Sequence, residues 1–327
     1  MSNLQRPLSK FLSDKTKTAI RNWQAENEKI NESSEKEGVP LDLTKAHPDQ
    51  WKSIREALLE SSYSSSLYRS MIEKYPTDME VRHIGGVYTE VFTPLDGVSE
   101  KNKDRVLINL HGGSFIGGER SGSHLESLPI CSVGKIKVVS VDYRMAPEHQ
   151  FPAGSDDVLS VYKDLLGSYK AEKIGIYGSS AGGLLTAQSL ARFQTEGLPA
   201  PGGAAMLACG AYYWLDGDSG TTASLGENLY SSDLYFKGVE ANNPLAFPGH
   251  SADFIRNFPP SLMIASTGDF ALSSVIQTHS QLKRQGVETD LHIWEGLDHV
   301  FYFCADLVES LEVYEVVTEF FDGHLGQ

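Results

Sequence analysis

Three side chains occur in the types and chain order that nucleophilic acyl transfer needs: Ser180, Asp269 and His299. Ser180 is the centre of Gly178-Ser179-Ser180-Ala181-Gly182, a G-x-S-x-G pattern. Five residues alone could equally be a glycine-rich turn of any α/β protein, and the setting is what distinguishes them. An apolar run at 173–177 precedes the pattern, and a small-residue helical stretch, AGGLLTAQSLARF, follows it. A nucleophile elbow requires this strand–turn–helix order, because the turn is too sharp for large flanking side chains and lifts the hydroxyl above the sheet. The helix start beneath the serine favours developing negative charge.

A serine hydroxyl attacks poorly near neutral pH unless a base takes its proton. That base is usually a histidine held in one tautomer by a carboxylate, and in this architecture the order is Ser, then Asp or Glu, then His. Of the histidines after Ser180, His299 stands in the loop Glu295-Gly-Leu-Asp298-His299-Val-Phe301, directly after the strand expected at 289–294. His292 lies within that strand, His279 in a helix, His250 in an irregular region and His324 in the tail. Asp269 follows the strand expected at 261–265 and precedes a helix, which puts it at the carboxyl edge of the sheet. An Asp at such a junction is also a common helix cap. Asp298 is the rival orienter, although neighbours in sequence rarely turn their side chains toward each other. A second glycine-rich turn, His111-Gly112-Gly113-Ser114-Phe115, follows the strand expected at 105–110. Adjacent glycines there let backbone N–H groups point into a pocket, as an oxyanion hole requires.

The elements that must hold these groups are legible as texture. Strands are expected at 87–92, 105–110, 137–141, 173–177, 204–208, 261–265 and 289–294, and several are near-continuous Val, Ile and Leu runs of the kind buried on both faces. Helical patterns fall at about 154–168, 181–196, 270–286 and 306–321. The alternation predicts a mainly parallel sheet flanked by helices. Two regions break the rhythm. Residues 1–75 are polar and helical, with Trp51, Ile54 and Leu58, then Leu67, Met71 and Tyr75, at helical spacing, and a polar loop at 31–40. Residues 210–258, rich in Gly, Ser, Asn and aromatics, look inserted.

Bulk composition narrows the function classes. A formal charge of −15 and a pI near 5.1 oppose a nucleic-acid partner and a basic membrane-docking surface. The N-terminal MSNLQRPLSKFLSDKTK lacks the apolar stretch of a signal peptide, and no run reaches membrane-spanning length. Three widely spaced cysteines, Cys131, Cys209 and Cys304, with no CxxC pair, argue against a structural zinc and fit a reduced, cytoplasmic protein that buries them. Asp216-Gly-Asp218 opens like a calcium loop and Glu227 falls at the right distance. Gly220 and Thr221, however, stand where a ligand and the required glycine should be.

At this point a resemblance becomes specific. His111-Gly-Gly, the block Asp142-Tyr-Arg-Met-Ala-Pro-Glu-His149-Gln-Phe-Pro-Ala153, Gly178-Ser-Ser-Ala-Gly-Gly183 and Asp298-His299 together resemble the hormone-sensitive-lipase-like family of bacterial esterases, from about residue 81 to the end. The resemblance implies an α/β-hydrolase fold with a helical cap. Residues 1–75 would form the N-terminal part of the cap and 210–258 its insertion, with 76–209 and 259–327 as the catalytic domain. It also implies an oxyanion hole built from backbone amides of the glycine motif (Gly112, Gly113, Ser114) and of Ala181. The block at 142–153, despite Glu148 and His149, is expected to brace the glycine loop from behind. The chain departs from the family at Ser114 (usually glycine), at Ser179 (usually acidic or Thr) and in Asp269-Phe-Ala-Leu-Ser (usually Asp-Pro-Leu-Arg-Asp).

The expected activity is carboxylic-ester hydrolysis through an acyl-enzyme on Ser180, with a small, short-chain soluble ester as substrate and no cofactor or metal. The resemblance is compatible with a homodimer formed through the edge strand or C-terminal helix. A lactonase, amidase or small-peptide hydrolase would use the same triad. A non-catalytic receptor on this fold would be expected to have lost the base or the nucleophile, whereas all three residues remain.

Overall fold

Runs such as Val106-Leu-Ile-Asn-Leu110 carry apolar side chains on both faces, so both faces must be covered. Among the residues described by the structure, a computed structural model covering 8–36, 46–222 and 234–326, eight strands form one sheet, and helices cover both faces of its central strands. The chain opens with helices α1 (Asp14–Lys36), α2 (Trp51–Ser64) and α3 (Ser66–Lys74), followed by strands β1 (Thr77–Ile84), β2 (Val87–Pro94) and β3 (Val106–Leu110). Next come α4 (Ser121–Gly134), β4 (Lys137–Val141), α5 (Ala153–Leu165), β5 (Ile174–Ser179), α6 (Ala181–Thr195) and β6 (Gly203–Leu207). The last part holds α7 (Asp218–Thr222), α8 (Ala252–Ile255), β7 (Ser261–Ser266), α9 (Leu272–Arg284), β8 (Thr289–Trp294) and α10 (Val308–His324).

The strand order is β1-β2-β4-β3-β5-β6-β7-β8. β2 runs antiparallel to both β1 and β4, and β3 to β8 are mutually parallel. Alternate residues serve opposite cores. Val106, Ile108, Ile174 and Ile176 pack with Val158, Val161 and Leu184 of α5 and α6, while Leu107, Tyr177 and Leu262 pack with Leu128, Val317 and Phe321 of α4 and α10. The parallel order brings the carboxyl ends of β3, β5, β7 and β8 to one edge.

The seven expected strands are present within a few residues, as are the four helices. Two elements were not anticipated. β1 is exposed along most of its length, and its short alternation of Met79 and Val81 with charged residues marks no buried face, since the two are 47% and 46% exposed. α4 is buried on nearly every side and contains Pro129, so it shows neither a polar face nor a clean helical sequence. The polar loop expected at 31–40 needs correction: residues 31–36 continue α1, and 37–40 lie outside the described residues. In α2, Trp51 and Ile54 are buried, but Leu58 is 42% exposed and does not belong to the apolar face.

The N-terminal segment lies against the sheet domain through both apolar and polar contacts. Met71 of α3 is fully enclosed, and Arg55 of α2 donates to the carbonyls of Ile116 (3.3 Å) and Ala146 (3.2 Å) and pairs with Glu148. Lys74 donates to the carbonyl of Ala305 at 2.9 Å, and Thr16 to Glu309 at 2.9 Å. Ser65 starts α3 by accepting the Tyr68 amide at 3.1 Å. The region 210–258 contributes the short helices α7 and α8 and an aromatic cluster in which Phe115 stacks on Tyr235 (centroids 4.2 Å apart) and Trp214 (6.1 Å). Glu227 lies outside the described residues. All three cysteines are free and buried. Among the described residues, no helix is long and apolar enough to cross a membrane.

Candidate active site

The β5–α6 junction is a sharp elbow. Ser180 takes φ +56° and ψ −121°, a conformation side-chain-bearing residues rarely adopt, and its amide donates to Leu207 of the adjacent strand β6 at 2.8 Å. The flanking glycines follow from sterics. A Cβ on Gly182 would lie 1.8 Å from the Leu110 carbonyl oxygen, and one on Gly178 would lie 2.4 Å from that same oxygen. β3 and the elbow are therefore pressed together at a distance only glycine permits.

His299, after β8, and Asp269, after β7, meet the serine across the sheet edge. His299 Nε2 is 2.8 Å from Ser180 Oγ, and its Nδ1 is 2.8 Å from Asp269 Oδ1. The carboxyl of Asp269 is almost completely buried, and the same Oδ1 accepts the Ala271 amide at 2.8 Å. Asp269 thus makes the histidine contact that its position suggested, but it does not cap α9: its bond is to the amide of Ala271, the residue before the helix, and no side chain caps α9. The Phe270 ring lies 4.1 Å from the imidazole, centroid to centroid, and restricts its rotation. Asp298 is exposed; its backbone carbonyl accepts from Ser266 Oγ at 3.0 Å, which fixes the loop, while the ring beside it faces Asp269. Of the remaining histidines, His250 packs edge-on against Tyr212 and His324 bonds the Phe320 carbonyl, both away from the serine.

The glycine loop after β3 closes on itself through Ile116 N–H and Gly117 N–H, which donate to the Gly113 carbonyl at 3.0 and 3.1 Å. Gly113 has φ +112°, and a Cβ there would sit 2.1 Å from the Gly117 carbonyl oxygen. Ser114 and Phe115 also take positive φ, +55° and +61°, so the serine replacing the family's third glycine is held in a left-handed conformation at some strain. Among the described residues, the amides of Gly113, Ser114 and Ala181 donate to no backbone carbonyl. Gly112 is different and requires a correction: its amide donates to Glu126 Oε1 at 2.8 Å, so it is not available to a substrate oxygen. Glu126 and its partner Asn109 were not found by sequence reasoning, because a single acid in the run Leu125-Glu-Ser-Leu-Pro-Ile130 matches no motif.

The block at 142–153 braces the loop, as expected. Tyr143 donates its hydroxyl to the His111 carbonyl at 2.7 Å and stacks on the His111 ring at 4.2 Å, and the Ala146 amide bonds the Phe115 carbonyl at 2.8 Å. Burial pushes the His111 imidazole down to about 4, so it stays neutral. Among the described residues, no group of three or more His, Cys, Asp or Glu side chains could hold a metal ion.

Comparison with known proteins agrees with this geometry. The sequence profile of the alpha/beta hydrolase fold family matches residues 107–303. An acetyl-hydrolase of Streptomyces hygroscopicus is 28% identical over 233 residues, spanning 68% of this chain and 77% of that protein. The gibberellin receptor GID1 of Oryza sativa subsp. japonica is 25% identical over 238 residues, 67% of each chain. The crystal structure of an esterase, E25, superposes with a TM-score of 0.74 at 29% identity, covering 86% of this chain and 87% of that one. The matched segment contains the elbow, the glycine loop, Asp269 and His299, and the chain belongs to the α/β-hydrolase fold family.

Proposed function

We propose that this protein is a serine carboxylic-ester hydrolase of the hormone-sensitive-lipase-like branch, working through an acyl-enzyme on Ser180. The observation that carries this reading is the unbroken chain from Asp269 through His299 to Ser180, both contacts at 2.8 Å. His299 takes the Ser180 proton as Oγ attacks the ester carbonyl. The amides of Gly113, Ser114 and Ala181 receive the oxyanion, and His299 then protonates the leaving alcohol. In the second half His299 deprotonates water, which attacks the acyl carbonyl; as the acid leaves, His299 returns that proton to Ser180 Oγ. Asp269 holds the ring with Nε2 toward the serine. Every bond change uses groups of this chain, the substrate and water.

A short-chain acyl preference follows from the surroundings. Phe115, beside the glycine loop, is fully buried under Tyr235 and Trp214, so this side of the site is filled with rings. Each added acyl methylene contributes about 0.8 kcal/mol only while there is space to bury it. The similarity to an acetyl-hydrolase points the same way. Residues 1–75 and 210–258 are assigned to a cap over the catalytic domain, 76–209 and 259–327. The similarity to a receptor favours a second reading, ligand binding without turnover; the intact serine, base and carboxylate weigh against it.

The test is hydrolysis of p-nitrophenyl esters of increasing acyl length, alongside a lactone and an anilide, by wild type and Ser180→Ala. Turnover of short esters that vanishes in the variant supports the reading. Tight ligand binding with no turnover of any of them by the wild type would favour the receptor.

A further inference from the structure

Directly behind the glycine loop lies a carboxylic acid with no cation beside it. Glu126 of α4 is 3% exposed, and the groups facing its carboxyl are neutral: the Gly112 amide on Oε1 (2.8 Å), Asn109 Nδ2 on Oε2 (3.0 Å), and the amide and hydroxyl of Ser179. Ser140 Oγ donates in turn to Asn109 Oδ1 at 2.9 Å. The network therefore runs from β4 through β3 to the first glycine of the loop. Gly112 also touches the nucleophile's own turn: a Cβ there would lie 3.0 Å from the Ser179 carbonyl oxygen and 3.3 Å from Ser180 Cβ. A shift of Gly112 moves the next amides, Gly113 and Ser114, relative to Ser180 Oγ.

We propose that Glu126 is a positioning residue for the reaction at Ser180, a carboxyl whose hold on the Gly112 amide sets where the Gly113 and Ser114 amides point. The inference rests on the hydrolase reading of the site. An isolated buried carboxylate is costly, and burial pushes the Glu126 carboxyl up to about 8 despite its hydrogen bonds, so at neutral pH it is uncharged. The network accommodates the neutral acid. With the Asn109 amide turned over, the acid proton reaches Asn109 Oδ1 and Nδ2 reaches Ser140 Oγ, which then accepts.

Above that pH the acid ionises. A negative charge then sits behind the loop that must receive a second negative charge, and in a dry site the two repel more strongly than in water. The other titratable groups around Glu126 do not change charge in this range. Burial holds the hydroxyls of Tyr177 on β5, Tyr302 after β8, Tyr143 after β4 and Tyr314 on α10 well above their ordinary values, pushes the Cys131 thiol of α4 up, and keeps His111 neutral. On another side of α4, His124 and Glu90 pair with each other.

The experiment is the pH profile, from 6 to 10, of kcat and KM for p-nitrophenyl acetate with wild type, Glu126→Gln and Glu126→Leu. Wild-type kcat should fall about tenfold above pH 8, with KM little changed. Glu126→Gln keeps an acceptor for the Gly112 amide and cannot ionise; it should match wild type at pH 7 and lack the alkaline fall. Glu126→Leu removes the anchor and should lose about tenfold or more in kcat at pH 7. Superimposable alkaline limbs in wild type and Glu126→Gln would overturn the proposal even if Glu126→Leu does not fold. An inactive wild type would instead remove the hydrolase reading, and this inference with it. Thermal unfolding supplies a readout independent of turnover. The folded carboxyl keeps its proton up to about pH 8 where an ordinary one loses it near 4.5, so its contribution to stability is complete below 4.5 and is lost as pH rises through 8. Wild type should therefore lose Tm relative to Glu126→Gln across that window, and parallel Tm profiles would count against the proposal.

Discussion

Among the described residues, two carboxylate–histidine–hydroxyl chains cross the molecule, and their bond lengths barely distinguish them. Asp269, His299 and Ser180 are joined by contacts of 2.8 and 2.8 Å. Glu90, His124 and Tyr68 are joined by contacts of 2.9 and 2.7 Å, with the ring reversed so that Nε2 meets the carboxylate and Nδ1 the hydroxyl. The difference lies in what surrounds the hydroxyl. Ser180 stands on a strained elbow at the start of a helix, beside amides that donate to no backbone carbonyl. Tyr68 lies in an ordinary helix, burial pushes its phenol further up, and Tyr63 packs edge-on to it at 4.8 Å while the Phe92 ring covers His124. An anion has a prepared seat at the first chain and none at the second. The lesson is that a hydrogen-bonded triad becomes a reactive site only when its nucleophile is presented next to donors with room for the developing charge. The second chain fastens the N-terminal helices to α4 and β2.

The comparison can be broken most severely at the hydroxyls. Ser180→Ala should reduce kcat for a short ester by about 10⁶, since the groups of a triad act as a unit, while Tyr68→Phe leaves kcat within a factor of about two. Steady-state kinetics on both variants decide it; comparable losses would mean the two chains have been assigned the wrong way round. At the histidines, His299→Ala should lose nearly as much rate with an unchanged Tm. His124→Ala should keep the rate but lose about 3 kcal/mol of stability, because Glu90, 4% exposed, is left buried with only the long bond from Ser123 Oγ (3.4 Å). Denaturant unfolding of the two variants tests that crossover.

A smaller effect separates the two acids near His299. Asp269→Asn should lower kcat by about 10⁴, the loss expected when an amide stabilises the wrong imidazole tautomer. Asp298→Asn, whose side chain is exposed, should cost no more than about tenfold; a larger loss there would move the orienting role to Asp298. The smallest expected effect is on acyl length, where kcat/KM should peak at a few carbons, each methylene beyond the pocket returning less than the 0.8 kcal/mol or so of full burial. A steady climb to long-chain esters, with a jump on emulsification, would contradict a ring-filled pocket.

The meeting of Ser180, Asp269 and His299 and the parallel sheet were legible because each rests on local chemistry. The elbow needs small residues around Ser180, and strands buried on both faces need the Val, Ile and Leu runs that precede each loop. What escaped was structure whose cause lies elsewhere in the chain. α4 shows no amphipathic stripe because β2, β3, β4 and α10 surround it, and Pro129 argues locally against a helix. β1 pairs along its whole length with β2 but is exposed at most of its positions, so burial leaves little mark on its side chains. The Gly112 amide was assigned to the oxyanion hole because a glycine motif shows that amides are free to turn but not which of them already has a partner. That partner, Glu126, comes from a helix that begins ten residues beyond the loop motif's first histidine, and no spacing rule connects them. The Glu90–His124–Tyr68 chain was invisible for the same reason, since its three members come from three elements and none belongs to a motif.

Covalent labelling with a fluorophosphonate, read by intact mass and peptide mapping, tests directly whether Ser180 is the activated nucleophile. The wild type should gain one adduct, on Ser180. Ser180→Ala should gain none, His299→Ala should react far more slowly, and His124→Ala should react at the wild-type rate. Folded wild-type protein that stays unlabelled, or an adduct that persists in Ser180→Ala, would contradict the account.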